Sequence, residues 1–319
     1  MEIIPGIHRI ESTLGPRPFA QYLLLGERSL LVDTGIKTTP NDVILPFFAA
    51  IGFDPAGLDY VLVSHADVDH FGGNAAVRET APRAVFLAHE ADADWIGDQE
   101  CVLRERYGWY AAHGPEVDYD TETKAFLRSG MGPDVPVDLR LRGGERIRIG
   151  PELTVTVINL PGHSMGHLGL WEPISRTAIV IDGVLGGGLL NFEGTIIHPP
   201  PYMDAATYES TITMVKALRP ERLLTAHYDV MEGQDVADFL DLSRHFVLRA
   251  RAAVEATLKE DKEASLASLL AALAPELGPF TSFPNELAGP LRAHVWELAA
   301  IGLAEEVTNA APARWRWVG

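Results

Sequence analysis

The stretch VLVSHADVDHFGGN, residues 61–74, runs from an apolar, strand-like segment straight into His65, Asp67, Asp69 and His70, followed at once by glycines. Along an extended loop alternate side chains point the same way, so His65, Asp67 and Asp69 converge on one side. His70, at the start of the following turn, reaches a neighbouring point. Imidazoles and carboxylates gathered this densely suit two metal ions a few ångströms apart. The competing reading is a polar loop that caps a helix, with Asp69 as its N-cap. On the metal reading the fold is tightly constrained: a buried strand must end at this loop, and other strand ends must bring the missing ligands to it.

Three later stretches offer them. LPGHSMGH, residues 160–167, sets His163 on a Pro-Gly turn directly after a strong strand pattern. VIDGVL places Asp182, and LLTAHYD places His227, at the end of further strand patterns. Alone, each reads as a solvated loop histidine or a turn aspartate. Together, in a layered fold whose loops gather at one edge, they complete a site.

The N-terminal part supports layers of helix on sheet. QYLLLG, SLLVDTG, YVLVSH and AVFLAH are apolar runs of strand length, and FGGNAAVRETAP between the last two reads as a helix stopped by Pro82. Residues 92–136 break this rhythm with Trp95, Tyr107, Trp109, Tyr110, Tyr119 and Phe126 among acids, and read as an insertion. It is either a lid over an apolar substrate or a helical excursion on the surface. Strands resume at ERIRIG, LTVTVINLPGHS and TAIVIDGVL; a helix, MDAATYESTITMVKAL, and the strand RLLTAH close a unit spanning residues 1–235. From 236 to 319 apolar residues recur at helical spacing (Phe239, Leu242, Phe246, Ala250, Val254) and LAEEV with RWRWV reads as a terminal hairpin. Three helices and a hairpin describe a winged-helix-like module.

Composition narrows the partners. The net charge of −18 argues against nucleic acid and anionic membranes, and from residue 263 on six glutamates face only Arg292, Arg314 and Arg316. Such a module reads as a packing or dimerisation element, which leaves a homodimer open. No signal-like start and no run of eighteen apolar residues is present, and Cys101 is the single cysteine, so a soluble, cytoplasmic protein acting on a small molecule is expected.

The order of these motifs resembles the metallo-β-lactamase superfamily, whose signature is His-x-His-x-Asp-His followed by a distant His, an Asp and a final His. PGHSMGH is similar to glyoxalase II and its relatives. The resemblance covers residues 5–230 and implies an α/β fold, an αββα sandwich with the site at one edge, here carrying the helical, winged-helix-like appendage. It implies that His65 and His163 hold one metal, that Asp69, His70 and His227 hold the second, and that Asp182 bridges them. Asp33 and His167 match positions that orient ligands by hydrogen bonds. The implied chemistry is attack of a metal-bound hydroxide on a small ester, lactone or thioester, with Asp69 orienting or accepting the water proton. Phosphodiester and β-lactam hydrolysis are alternatives. His198 and Tyr228 lie in loops expected to reach the substrate.

Asp67 departs from the pattern, which has histidine there. A carboxylate is a harder ligand than imidazole and moves preference from zinc, the leading cofactor, toward iron or manganese. Flavodiiron proteins resemble this chain there, keeping open a diiron redox or oxygen-handling enzyme; the flavodoxin domain those proteins carry has no counterpart in this sequence. Two divalent ions, three aspartates and a hydroxide sum to a formally neutral centre, one charge below the three-histidine version. A second possibility is that aspartate, being shorter, fails to reach the first ion.

Overall fold

The alternation of strand residues between two faces organises the chain. A computed structural model describes residues 1–308 and 310–319. Its first sheet has seven strands in chain order: Glu2–Ile4, Ile7–Leu14, Arg17–Leu25, Ser29–Val32, Tyr60–Leu62, Val85–His89 and Leu139–Leu141. The first four are antiparallel neighbours and the last four parallel ones. The second sheet runs in the order Met231–Glu232, Arg222–Thr225, Thr177–Ile181, Leu168–Glu172, Thr154–Asn159, Arg146–Arg148. Leu30, Val32, Leu62 and Leu87 of the first sheet meet Val155, Val157, Leu170, Ile179 and Leu224 of the second in one buried cluster. Their neighbours Leu31, Val61 and Phe86, with Ala178 and Val180, face the opposite way into a cluster shared with the helices. Both sheets are thus buried on two faces, and the architecture is helix, sheet, sheet, helix.

The C-terminal region is largely helical, with helices Gln234–Asp261, Leu266–Leu277 and Ala288–Ala300. The expected terminal hairpin forms between Ala304–Glu306 and Arg314–Trp317, and Glu263–Ser265 joins the far side of the latter as a third strand. That strand, three residues long, has no readable alternation. Residues 92–136 form helices Ala93–Gly97, Gln99–Glu105 and Thr121–Ser129 with a 3-10 turn at Gly108–His113. Tyr107, Tyr110 and Tyr119 sink into the helix-side core, so this segment is integral packing and not a surface excursion. No helix among the described residues is long and apolar enough to cross a membrane.

Candidate metal centre

Strand ends set the site. Tyr60–Leu62 runs out into Ser64 and His65; Val68–Phe71 then forms one helical turn that carries Asp69 and His70. Asp67, not Asp69, occupies the N-cap position of that turn, in extended backbone, and its side chain makes no capping bond. The carboxylate is therefore free to face the other ligands. Asp182 follows Thr177–Ile181 and His227 follows Arg222–Thr225, two adjacent parallel strands. His163 sits on the Pro-Gly turn, where Gly162 has φ +129° and any side chain would collide with the Tyr208 backbone at 2.5 Å.

Two residues beside these ligands hold uncommon left-handed backbone: Asp33 at φ 63° and Ile181, immediately before Asp182, at φ 50°. For a β-branched residue this costs free energy and persists only where the surroundings enforce it. Asp33 uses its position fully. Its carboxylate accepts from the Ser64 amide (2.7 Å), the Ser64 hydroxyl (2.8 Å) and His70 Nδ1 (2.8 Å).

The hydrogen bonds decide which ring nitrogens are protonated. His70 Nδ1 donates to Asp33, and Ser64, having given its proton to Asp33, accepts from His65 Nδ1 at 2.9 Å. His163 Nδ1 donates to the Pro201 carbonyl at 2.6 Å, and His227 Nδ1 to the Pro18 carbonyl at 3.2 Å. In neutral rings all four Nε2 atoms then carry lone pairs, and all four point at carboxylates. His163 and His65 lie 3.0 and 3.5 Å from Asp67 Oδ2; His227 and His70 lie 3.3 and 3.4 Å from Asp182 Oδ2. Lone pairs facing lone pairs are repulsive unless a cation lies between. Two ligands bound tetrahedrally at ~2.0–2.1 Å are about 3.4 Å apart, which matches these spacings. His65 Nε2, His70 Nε2 and Asp182 Oδ1 are buried without a hydrogen-bond partner. Three overlapping clusters able to hold a metal result: His65, Asp67 and His163; Asp69, His70 and His227; and His65, His70 and Asp182. The donor set fits divalent metal.

Titration follows the same logic. Burial and the neighbouring His70 push His65 down to about 3. Burial would also lower His70, but Asp182, Asp33 and Asp69 around it prevail and hold it well above the usual imidazole range. His167 stacks on His65 at 4.7 Å and accepts the Asp182 amide proton at 3.3 Å, so it braces both.

Asp67 has partners that the sequence did not reveal. Arg106 Nη2 donates to both of its oxygens, at 2.9 and 3.0 Å, and the Tyr107 hydroxyl lies 3.3 Å from Oδ1. Burial would raise this carboxyl; the Arg106 guanidinium, helped by His163 and His65, holds it well below the usual carboxylate range. Arg106 is buried, and it brings to Asp67 a positive charge that a count over the ligand motif alone leaves out. A second hidden group is Asp92, which ties the two ligand loops together by accepting from Ser164 Oγ (2.6 Å), the Gly166 amide (2.9 Å) and the Ala66 amide (3.2 Å).

The ligands open into a pocket whose walls include Leu14 and Arg17 from the N-terminal hairpin, Tyr119, Phe126 and Leu127 from the aromatic segment, and Phe283 and Glu286 from the C-terminal region. His198 lines it too, with Nε2 3.2 Å from Glu286 Oε2. Tyr228 does not: its hydroxyl donates to the Leu185 carbonyl at 3.0 Å and also meets that of Gly188, behind the site.

Comparison with known proteins places this geometry in a family context. Residues 15–227 match the model of the metallo-beta-lactamase superfamily. A hydroxyacylglutathione hydrolase of Fuscovulum blasticum is 34% identical over 99 residues, 31% of this chain, and the chain spans only 35% of that relative's length. An acyl-coenzyme A thioesterase of Gallus gallus is 24% identical over 65% of this chain and 71% of its own. A metallo-beta-lactamase family protein from Thermus thermophilus shares the fold along 99% of this chain and 100% of its own, with a TM-score of 0.73 at 18% identity.

Proposed function

The chain belongs to the metallo-beta-lactamase superfamily, and from that premise we propose that it is a metal-dependent hydrolase of a small ester, lactone or thioester. The observation that carries the proposal is the convergence of four imidazole Nε2 atoms on two carboxylates at 3.0–3.5 Å. His65, Asp67 and His163 would hold one divalent ion, and Asp69, His70 and His227 another. Asp182 would serve both, since Oδ2 faces His70 and His227 while Oδ1 is buried without a partner. When bound, such ions polarise an acyl oxygen and acidify water.

The residues themselves do the rest. Asp33 and His167 fix the ligand rings, and Asp69, lining the pocket and without a side-chain hydrogen bond among the described residues, accepts the proton of the attacking water. Arg106 offsets the charge that Asp67 brings, which supports zinc and hydrolysis over a diiron redox centre. The relatives named a hydrolase and a thioesterase support cleavage of an acyl bond in a small molecule.

Metal analysis by plasma mass spectrometry on protein purified without added metal or chelator tests this reading, alongside assays with p-nitrophenyl esters, lactones and thioesters. About two zinc ions per chain with acyl hydrolysis is the expected result. Two irons, an absorption band that bleaches on reduction and no hydrolysis would overturn it.

A further inference from the structure

Arg17 lines the pocket that holds the candidate metal ligands and has no counter-ion among the described residues. It opens the strand Arg17–Leu25 after the hairpin turn at Gly15 and Pro16, and the next residue, Pro18, gives its carbonyl to His227. The side chain is 7% exposed, its Nε is buried without a hydrogen-bond partner, and no carboxylate among the described residues pairs with its guanidinium. Glu286, in the same pocket, is already engaged, accepting from the Tyr119 hydroxyl at 2.9 Å and paired with His198 at 3.2 Å. A buried cation with no partner is costly, and proteins keep one where a ligand supplies the missing charge. The wall behind Arg17 is built: its guanidinium lies 5.8 Å from the Phe283 ring, and Phe283 holds φ 47°, a strained conformation for so bulky a residue. The turn that follows is latched to the aromatic segment by Asn285 Nδ2, which donates to the Val117 carbonyl at 3.2 Å.

We propose that Arg17 binds an anionic group of the substrate, a carboxylate or phosphate remote from the bond that is cleaved, so that the pocket selects acidic acyl compounds over neutral ones. This rests on the hydrolase reading above. The planar guanidinium presents paired donors that match either oxyanion, and it lies over the Phe283 ring.

Two esters with one leaving group make the test: mono-p-nitrophenyl glutarate and its methyl ester, which lacks the charge. The metal-loaded full chain should prefer the acid. In Arg17→Gln the acid-to-ester ratio of kcat/KM should fall about tenfold or more, mainly through KM, with metal content unaltered. Arg17→Lys, which keeps the charge and guards against misfolding, should fall between. Calorimetric titration with glutarate and with inorganic phosphate reads binding without turnover; whichever binds tighter names the oxyanion, and both should weaken in Arg17→Gln. An unchanged ratio in Arg17→Gln, or a wild-type preference for the methyl ester, would overturn the inference while leaving hydrolysis intact. Should neither ester be cleaved, the titrations decide: binding that is lost in Arg17→Gln supports the subsite, and no binding to the wild type overturns it.

Discussion

Replacing Arg106 with methionine separates the metal from the protein as partners of Asp67. Arg106 is 4% exposed, and its Nη2 reaches both Asp67 oxygens at 2.9 and 3.0 Å. Without metal, Arg106→Met leaves a buried carboxylate that has lost its permanent cation and keeps the Tyr107 hydroxyl at 3.3 Å and the His163 imidazole at 3.0 Å. Breaking a buried ion pair from one side costs about 3–5 kcal/mol. With metal bound the carboxylate keeps a cation, and the loss shrinks to one charge-assisted hydrogen bond, about 1.5–3 kcal/mol.

The difference, on the order of 1–2 kcal/mol, has a counterintuitive corollary: by linkage, the variant should bind metal about 5- to 30-fold more tightly than the wild type. Urea unfolding of chelated and zinc-saturated protein, wild type and variant, gives all four corners of the cycle, provided both forms unfold in one step. An equal loss in the two states, or a larger one with metal, would refute the idea that Arg106 acts as the stand-in counter-ion for Asp67.

Asp69→Ala should abolish acyl hydrolysis while retaining most of the metal, checked by mass spectrometry and a p-nitrophenyl ester assay; unaltered turnover would remove Asp69 from the proton transfer. Asp92→Ala strands the Ser164 hydroxyl and two amides, and at about 1–3 kcal/mol per buried unsatisfied group it should cost several kcal/mol and loosen His163, seen as lower stability and faster metal loss. Tyr228→Phe forfeits a bond to a carbonyl behind the site, so about 1 kcal/mol of stability should go while KM moves less than about twofold. Metal uptake should release protons. In the protein alone His70 is held above the usual imidazole range against its burial by Asp182, Asp33 and Asp69, and His163, also buried, by Asp67. Zinc added near pH 6.5 should therefore displace about one proton or more per chain in a weakly buffered titration, and fewer as the pH rises past those raised values.

What could be read from the sequence, and what could not, divides along one physical line: local periodicity against long-range contact. His65, Asp67, Asp69 and His70 are visible because a strand pattern locates their loop, although the helical turn Val68–Phe71, and not strand alternation, orients Asp69 and His70; His163, Asp182 and His227 are visible because each stands just beyond a strand, and Asp33 and His167 only through the family resemblance. The two-layer core follows from the same period, as the opposite facing of Leu30 and Leu31 illustrates. Tyr228 shows the limit of adjacency. It stands next to His227, but the backbone bends over residues 226–228 just past the strand, and the Tyr228 hydroxyl ends against the Leu185 carbonyl. Arg106, Asp92 and Arg17 were invisible for the converse reason. None belongs to a ligand motif, and each gains meaning only from what the fold brings to it: Asp67 to Arg106, Ser164 to Asp92, Phe283 to Arg17. Arg106 also shows why counting charges within a motif misleads. The charge of a buried centre is set by everything that shares its low-dielectric surroundings, and a cation thirty-nine positions away in sequence offsets the Asp67 carboxylate.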